Sequence, residues 1–337
     1  MIRQIALNLL RISGALDLAR LAHRRQALIL TYHRFSASSE NGRTSAERFI
    51  EQLEYLTKRY KVVPLAQIAE SINRAEPLAP GLAAITIDDG YRDAYEIAYP
   101  LLRRYGSPAT LFVPPDFIDR RVWIWTDKAR FLVRQSVSRQ FTAKVNGRGL
   151  QFELNGSASR RDAAERINSA LKQLPDEIKE EALERFARDL GVEAPKSPPA
   201  EFGPITWAEA REMQANGIEI GSHTMTHPVL TRIGDDRLRM ELHQSRSRLE
   251  EVFGRRIEQF CYPNGDYDER VQREVARAGY RIAVTTVSGL NKRGDDLLTL
   301  RRIHTERDLA HFAQSTSGFE ELKSKARRLA TASGYIS

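Results

Sequence analysis

The chain has almost no cysteine and no long apolar run. Its 337 residues include one cysteine, Cys261, which excludes an intramolecular disulfide framework and is typical of a protein in a reducing compartment. No segment reaches the roughly 18 consecutive apolar residues that a membrane-spanning helix needs. Because Cys261 lies in the apolar run 260–262, we interpret it as a buried structural thiol.

Charge and aromatic residues are present, but neither is concentrated. Fifty-two Lys and Arg against 44 Asp and Glu give a formal net charge of +8, scattered along the chain, and aromatic residues make up only 8%. This pattern provides neither a basic patch nor a stacking platform for bases, so we expect no nucleic acid partner. The length is sufficient for one large domain with a sizeable core, or for two domains.

Both ends of the chain are basic. Residues 1–22 place apolar side chains at near-helical spacing, Arg11 interrupts them, and no convincing small-residue cleavage site follows, which predicts an amphipathic helix over 1–26 rather than a signal peptide. Most such helices pack on their own domain, and a minority lie on an anionic membrane surface. Residues 319–337 are predicted to be a basic helix or tail. We expect a cytoplasmic protein, with association at the inner membrane face as the alternative.

Between these ends, short apolar runs alternate with segments of helical length. Such alternation is typical of a parallel α/β sheet, and about seven such strands favour a distorted (β/α)7-type barrel over an open sheet. In folds of this class the chemistry lies at the carboxyl ends of the strands. The clearest runs are residues 27–33, 84–87, 109–113 and 218–221.

The regular alternation stops between residues 119 and 202. This stretch contains a weak hairpin pattern around Asn146, charged helical residues from 160 to 190, and a proline-rich end at 194–199. We interpret it as a mostly helical insertion that interrupts a barrel of residues 27–318 and caps its site. Its charged helical part is expected to be a solvated face rather than a binding tract.

Two adjacent acids follow the apolar run at 84–87. Asp88 and Asp89 precede Gly90, and this local pattern is equally consistent with a turn that caps a helix. Like charges held close together push their proton affinities apart, so one carboxylate could bind a cation while the other accepts a proton.

A histidine pair follows the run at 218–221. His223 and His227 are four residues apart, and on a helical turn both imidazoles would project from one face and could hold one cation. This spacing alone is common by chance. Together with the acidic pair at the end of another parallel strand, it predicts a site with two histidines, one carboxylate and an open position for water, as in catalytic zinc sites.

Two motifs in this order resemble a known family. Thr-Ile-Asp-Asp-Gly at 86–90 and Ser-His-Thr-Met-Thr-His at 222–227 resemble the first two motifs of the polysaccharide deacetylases of carbohydrate esterase family four, which share the nodulation-type deacetylase domain. The resemblance covers about residues 27–115 and 203–305. It implies a distorted barrel, usually of seven strands. It also implies that Asp88 is the general base, and the metal ligands it implies are Asp89, His223 and His227.

The later motifs of that family match less well. By position, residues 260–265 are the third motif, which would make the backbone N–H of Tyr262 the oxyanion donor, but the arginine that many members carry just before it is absent. The fourth motif is missing near 283–285. The last motif is matched loosely by 300–304, so His304 would donate a proton to the departing amine. His33 resembles part of a Tyr-His pair in some members and is expected to line the pocket.

The resemblance implies a metal-dependent hydrolase that removes N-acetyl groups from N-acetylhexosamine units of a poly- or oligosaccharide or a glycan precursor. The expected cofactor is a divalent metal, zinc first, and the expected partner is an N-acetylated glycan of cell-surface polysaccharide synthesis. Two alternatives stay open at this point. One is a barrel hydrolase for another non-peptide C–N bond, and the other is a non-catalytic glycan-binding or scaffold protein.

Overall fold

The computed structural model describes residues 14–38, 43–145, 147–305 and 308–323. Most of the expected N-terminal helix, most of the basic C-terminal tail and Asn146 lie outside these residues. The strands are β1 Leu28–Tyr32, β2 Phe35–Ser36, β3 Thr44–Ser45, β4 Lys61–Val62, β5 Leu82–Ile87, β6 Ala109–Val113, β7 Gln140–Val145, β8 Arg148–Glu153, β9 Ile218–Ser222, β10 Gln259–Cys261, β11 Ile282–Val284 and β12 Ile303–His304. The α-helices are α1 Ala15–Ala22, α2 Ala46–Arg59, α3 Leu65–Asn73, α4 Tyr99–Arg104, α5 Pro115–Ile118, α6 Trp125–Gln135, α7 Ser157–Leu171, α8 Asp176–Asp189, α9 Trp207–Ala215, α10 Asp235–Phe253, α11 Glu269–Arg277 and α12 Leu309–Thr316.

A curled sheet of parallel strands forms the centre of the molecule. Hydrogen-bonded neighbours follow the order β11-β10-β9-β6-β5-β1-β12, and β4 pairs with the start of β5. Val284 at the end of β11 also bridges in parallel to Leu300, just before β12, so the two edges of the sheet approach each other. The predicted distorted (β/α) barrel is confirmed.

The central strands are buried along their whole length. All residues of β1, β5 and β6 are inaccessible, because helices cover the outer face and side chains fill the inner one. Helix α2 begins directly after Ser45: the Ser45 side chain accepts from the Arg48 N–H at 3.2 Å, and Leu53 and Leu56 pack into the barrel core. Truncating a fully buried leucine such as Leu53 to alanine would cost about 2–5 kcal/mol.

The insertion builds a second, smaller core. Its antiparallel hairpin β7–β8 pairs Phe141 with Phe152, which confirms the predicted hairpin. The charged stretch 160–190 is two helices, α7 and α8, because Pro175 precedes α8 as its N-cap and has no N–H to continue α7. Apolar side chains of the hairpin and of α6, α7 and α8 pack together with Val229 of the barrel.

The N-terminal helix is described only from Ala15 onward. On α1, Leu16 and Ala19 are buried, whereas Leu18 and Leu21 are 70% and 57% exposed. The described part of this helix therefore buries one side and exposes leucines on the other, and both the amphipathic helix over 1–26 and its membrane contact stay predictions. None of the helices in the described ranges is both long and apolar enough to cross a bilayer.

Candidate active site

Strand β5 delivers the two acids to the carboxyl end of the sheet and then turns. The Asp88 N–H still donates to the Tyr32 carbonyl at 2.9 Å, as in the β1–β5 ladder, whereas Asp89 and Gly90 both have a φ of 74°. A Cβ on Gly90 would lie 2.7 Å from Val113 Cγ1, so glycine is required in this turn. Both acids are buried and, because the backbone turns between them, their carboxylates have separate partners.

Asp89 lies between the two histidines of the second motif. Its Oδ1 is 3.4 Å from Nε2 of His223 and 3.4 Å from Nε2 of His227, too far for good hydrogen bonds. Oδ1 is buried without a hydrogen-bond partner among the described residues. One ligand atom from each of the three residues lies within 4.8 Å of the others. A divalent cation would satisfy this orphaned oxygen, and the N, N, O donor set fits zinc with an open coordination position.

The imidazole of His223 is oriented by the backbone. Its Nδ1 is 2.7 Å from the Cys261 carbonyl oxygen, which can only accept, so Nδ1 carries a proton and Nε2 faces Asp89. Burial alone would lower the pKa of His223, but Cys261 and the carboxylates of Asp89 and Asp88 outweigh it and hold that pKa well above the usual range, so the ring must release its Nε2 proton to bind a cation. Burial alone would raise the pKa of Asp89, but the two imidazoles beside it outweigh that effect and hold its pKa well below the usual range. Burial lowers the pKa of His227, which keeps that ring neutral and able to bind a cation.

The two histidines do not lie on a helical turn, so that part of the prediction is wrong. Residues 223–227, the metal loop, form an irregular segment after β9, with Thr224 and His227 in the left-handed region at φ 64° and 63°. The Thr224 hydroxyl accepts from the His227 N–H at 3.0 Å and folds the loop back. Pro228 lies outside any helix, because the next helical turn, of 3-10 type, begins at Leu230. The imidazoles converge through this turn instead of through helical periodicity.

Asp88 is held by an arginine that the sequence reasoning missed. Arg302 donates from Nη1 to Oδ1 and from Nη2 to Oδ2, both at 2.7 Å, and its side chain is fully buried. Its Nε donates to the Thr285 carbonyl at 2.8 Å. Burial would raise the pKa of Asp88, but the guanidinium charge outweighs it and lowers that pKa to about 2. A signal was available in the sequence, since Arg302 is a charged residue only two positions before the candidate His304.

Three further groups surround the Asp88 carboxylate. Thr31 Oγ1, Cys261 Sγ and His33 Nε2 lie 3.4, 3.5 and 3.5 Å from Oδ2. His33 therefore lines the site as expected, and Cys261 is buried as expected but touches functional groups. The His304 ring stacks on His33 with centroids 6.5 Å apart, and burial, followed by the charges of His33 and Arg302, lowers the pKa of His304.

The backbone N–H of Tyr262 is not free. It donates to the Val284 carbonyl at 3.2 Å, within the pairing of β10 and β11. An amide hydrogen used in a sheet cannot also stabilise a developing oxyanion unless the strand pair opens. The oxyanion role of this N–H therefore stays a prediction, and it would require release of the bond to Val284. The Tyr262 side chain is structural as well, since its hydroxyl donates to the Leu298 carbonyl at 3.0 Å.

The turn of residues 88–90, the acidic turn, also contacts the insertion and the segment just after it. The Tyr91 hydroxyl donates to the Asp127 carboxylate on α6, and the Arg34 guanidinium lies 3.9 Å over the Tyr91 ring. Just after the insertion, the Ile205 N–H donates to the Gly90 carbonyl at 3.0 Å. The insertion therefore adjoins the site through its first helix and through the chain that follows it.

Comparison with known proteins agrees with this geometry. The polysaccharide deacetylase family model matches residues 75–283, more than half of the chain. The chain belongs to the polysaccharide deacetylase family. The match includes the acidic turn, the metal loop and the whole insertion, whereas His33, Arg302 and His304 lie outside it.

Individual members of this family are distant in sequence. Bacillus subtilis YxkH, provisionally assigned as a polysaccharide deacetylase, is 20% identical over 276 residues, which are 82% of this chain and 70% of YxkH. The Streptococcus pyogenes deacetylase PplD, solved with acetate, has a TM-score of 0.58 at 19% identity, over 86% of this chain and 98% of PplD. A de-N-acetylase from Aggregatibacter actinomycetemcomitans has a TM-score of 0.55 at 18% identity, over 86% and 99%. At these identities the structures establish the shared fold.

Proposed function

We propose that this polysaccharide deacetylase is a metal-dependent hydrolase that removes N-acetyl groups from N-acetylhexosamine units of a glycan or glycan precursor used at the cell surface. The observation that carries the proposal is the separation of the two acids. Asp89 lies 3.4 Å from Nε2 of His223 and of His227, whereas Asp88 is bound by Arg302. The acetate bound to PplD and the de-N-acetylase name of the Aggregatibacter protein support acetamide hydrolysis.

Asp89, His223 and His227 would hold the metal, and zinc is the cation that prefers such a set of two imidazoles and one carboxylate. When bound, the cation supplies Lewis acidity to the acetamide carbonyl and to a water molecule. The protein's contribution is to orient the His223 ring through the Cys261 carbonyl, so that Nε2 faces the site, and to keep Asp89 ionised.

Asp88 would take the proton of the attacking water. Because its pKa is about 2, the carboxylate is ionised at neutral pH, and the two hydrogen bonds from Arg302 hold it in one orientation. A carboxylate with so low a pKa is a weak base, so it can accept a proton only from a water that has been made more acidic. The role of Asp88 as the base therefore depends on the bound metal.

His304 would protonate the departing amine, without which an amide nitrogen is a poor leaving group. The lowered pKa of His304 makes its imidazolium a stronger acid but reduces the protonated fraction at neutral pH. His33, stacked on the same ring and 3.5 Å from Asp88, is placed to link the two groups. Release of acetate should therefore decline as the pH rises and His304 loses its proton.

The test is acetate release from chitooligosaccharides and from polymeric N-acetylglucosamine. We expect release by the zinc-loaded protein, loss after chelation with recovery on adding zinc, and loss in Asp88→Asn with the metal still bound. If no acetate appeared from any of these glycans, and Asp88→Asn behaved like the parent, the proposal would be refuted.

A further inference from the structure

A buried carboxylate outside the ligand set holds the metal loop. Glu241 of α10 is fully buried, and its Oε2 accepts from the Met225 N–H at 2.8 Å and from the Thr226 N–H at 2.9 Å. Its Oε1 accepts from the Thr226 hydroxyl. One side chain thus takes three donors from the two residues in the middle of the loop. Charge-assisted bonds of this kind are stronger than those between neutral groups.

The loop needs such support because its backbone is strained. Thr224 and His227 both have positive φ, and a β-branched threonine rarely adopts that conformation. Strained conformations persist only where the surroundings over-determine them. His223 and His227 flank the two residues that bond to Glu241. Losing these bonds would therefore free both imidazoles to turn away from Asp89.

The support continues from the barrel into the insertion. Arg237, one turn before Glu241 on α10, has its Nε 3.9 Å from Glu241 Oε1, and its Nη2 donates to the carboxylate of Asp176. Asp176 is the first residue of α8 and also accepts from Lys179. The Asp176 and Lys179 side chains are only 7% and 2% exposed. Charges of alternating sign therefore run from the metal loop to a helix of the insertion.

We propose that Glu241 is a positioning residue for the metal ligands, and that α8 supports it through Asp176 and Arg237. The insertion is then part of the structure that sets metal affinity, in addition to any covering role. This inference depends on the proposed metal site, but it does not depend on which glycan is hydrolysed or on whether turnover occurs.

The test measures binding of Zn²⁺ to the full-length apoprotein by competition with a chromophoric chelator, together with the visible spectrum of the Co²⁺-loaded protein. Glu241→Gln removes the charge but keeps the shape, and we expect Zn²⁺ to bind about 10–100-fold more weakly, as when other groups that orient metal ligands are removed. The Co²⁺ bands should change as well. Asp176→Asn, which is one step further away, should show a smaller loss in the same direction.

The matched control is Glu177→Gln. Glu177 pairs with the same Arg237 at 3.1 Å, but its side chain is 68% exposed, so Zn²⁺ affinity should stay at the parent value. Thermal unfolding of each apoprotein identifies any variant that simply fails to fold, and in that case Asp176→Asn carries the test. Parent-like Zn²⁺ affinity and Co²⁺ bands in folded Glu241→Gln would overturn the role of Glu241. Equal affinity of Asp176→Asn and Glu177→Gln would overturn the role of α8. These binding results test only the roles of Glu241 and α8. A failure to release acetate would refute the proposed function and would leave the binding results unaffected.

Discussion

The barrel and the insertion use buried charge differently. In the barrel, the carboxyl ends of separate strands bring acids and imidazoles together and leave Asp89 Oδ1 unsatisfied. In the insertion, the buried acids Asp127 and Asp176 are paired on several sides, Asp127 with Tyr91 and Arg130, and Asp176 with Lys179 and Arg237. An unsatisfied buried carboxylate oxygen is costly, so we expect that of Asp89 to bind a ligand, whereas the paired carboxylates of Asp127 and Asp176 hold elements together.

The largest expected effect separates the two acids within the barrel. Asp89→Ala should lose bound zinc and acetate release together, because it removes a proposed ligand. Asp88→Asn should keep zinc and lower the rate by about 10²–10⁴-fold, the usual contribution of a general base. Metal content by mass spectrometry and the rate of acetate release measure these outcomes. Equal loss of zinc in both variants would mean that the acids share one role.

Next in size is the cost of breaking the Asp88–Arg302 pair. Arg302→Met should reduce the free energy of unfolding by about 3–5 kcal/mol, because it leaves the buried Asp88 carboxylate without its partner. The control is Arg301→Met, since the Arg301 side chain is 43% exposed and its ion pair with Asp295 should contribute about 1 kcal/mol at most. Urea unfolding measures both. Similar losses in the two variants would contradict the importance of the buried pair.

The pH dependence of stability tests the same carboxylate. The pKa of Asp88 is lowered from 3.8 to about 2 in the folded protein, so its contribution is complete above its unfolded pKa and is lost as the pH falls through its folded pKa. The contribution is about 2 kcal/mol for such a shift. The difference in unfolding free energy between the parent and Asp88→Asn should be constant from pH 7 to pH 5 and shrink towards pH 3. A difference that stays constant to pH 3 would contradict the lowered pKa.

The smallest effect is expected where the insertion meets the acidic turn. Tyr91→Phe removes the hydrogen bond to the buried Asp127 carboxylate and should cost about 1.5 kcal/mol. Zinc content should be unchanged, because the Asp127 carboxylate keeps its bond from Arg130 and Tyr91 is not a ligand. Glu165→Gln is the control, since Glu165 is exposed and pairs with Arg130 on the other side. Loss of zinc in Tyr91→Phe would show that the insertion controls Asp89 directly.

The residue pattern alone predicted the barrel, the insertion and the core of the site. Alternating apolar runs and helical segments indicate parallel strands, and the carboxyl ends of such strands meet at one edge of the sheet. The acidic pair and the histidine pair could therefore be placed together without coordinates, whereas the choice of Asp89 as the ligand came from the family resemblance. These features depend on local periodicity and on one topological rule, both of which can be read along the chain.

The tertiary structure alone decided how these groups are held and which are free. Arg302 bonds to Asp88, which is 214 residues away in the sequence, and Glu241 on helix α10 bonds to the metal loop. The register of β10 and β11 commits the Tyr262 N–H to Val284, and the loop brings His223 and His227 together without a helix. Partners of this kind depend on strand register and on packing between distant segments, which the order of residues along the chain does not display.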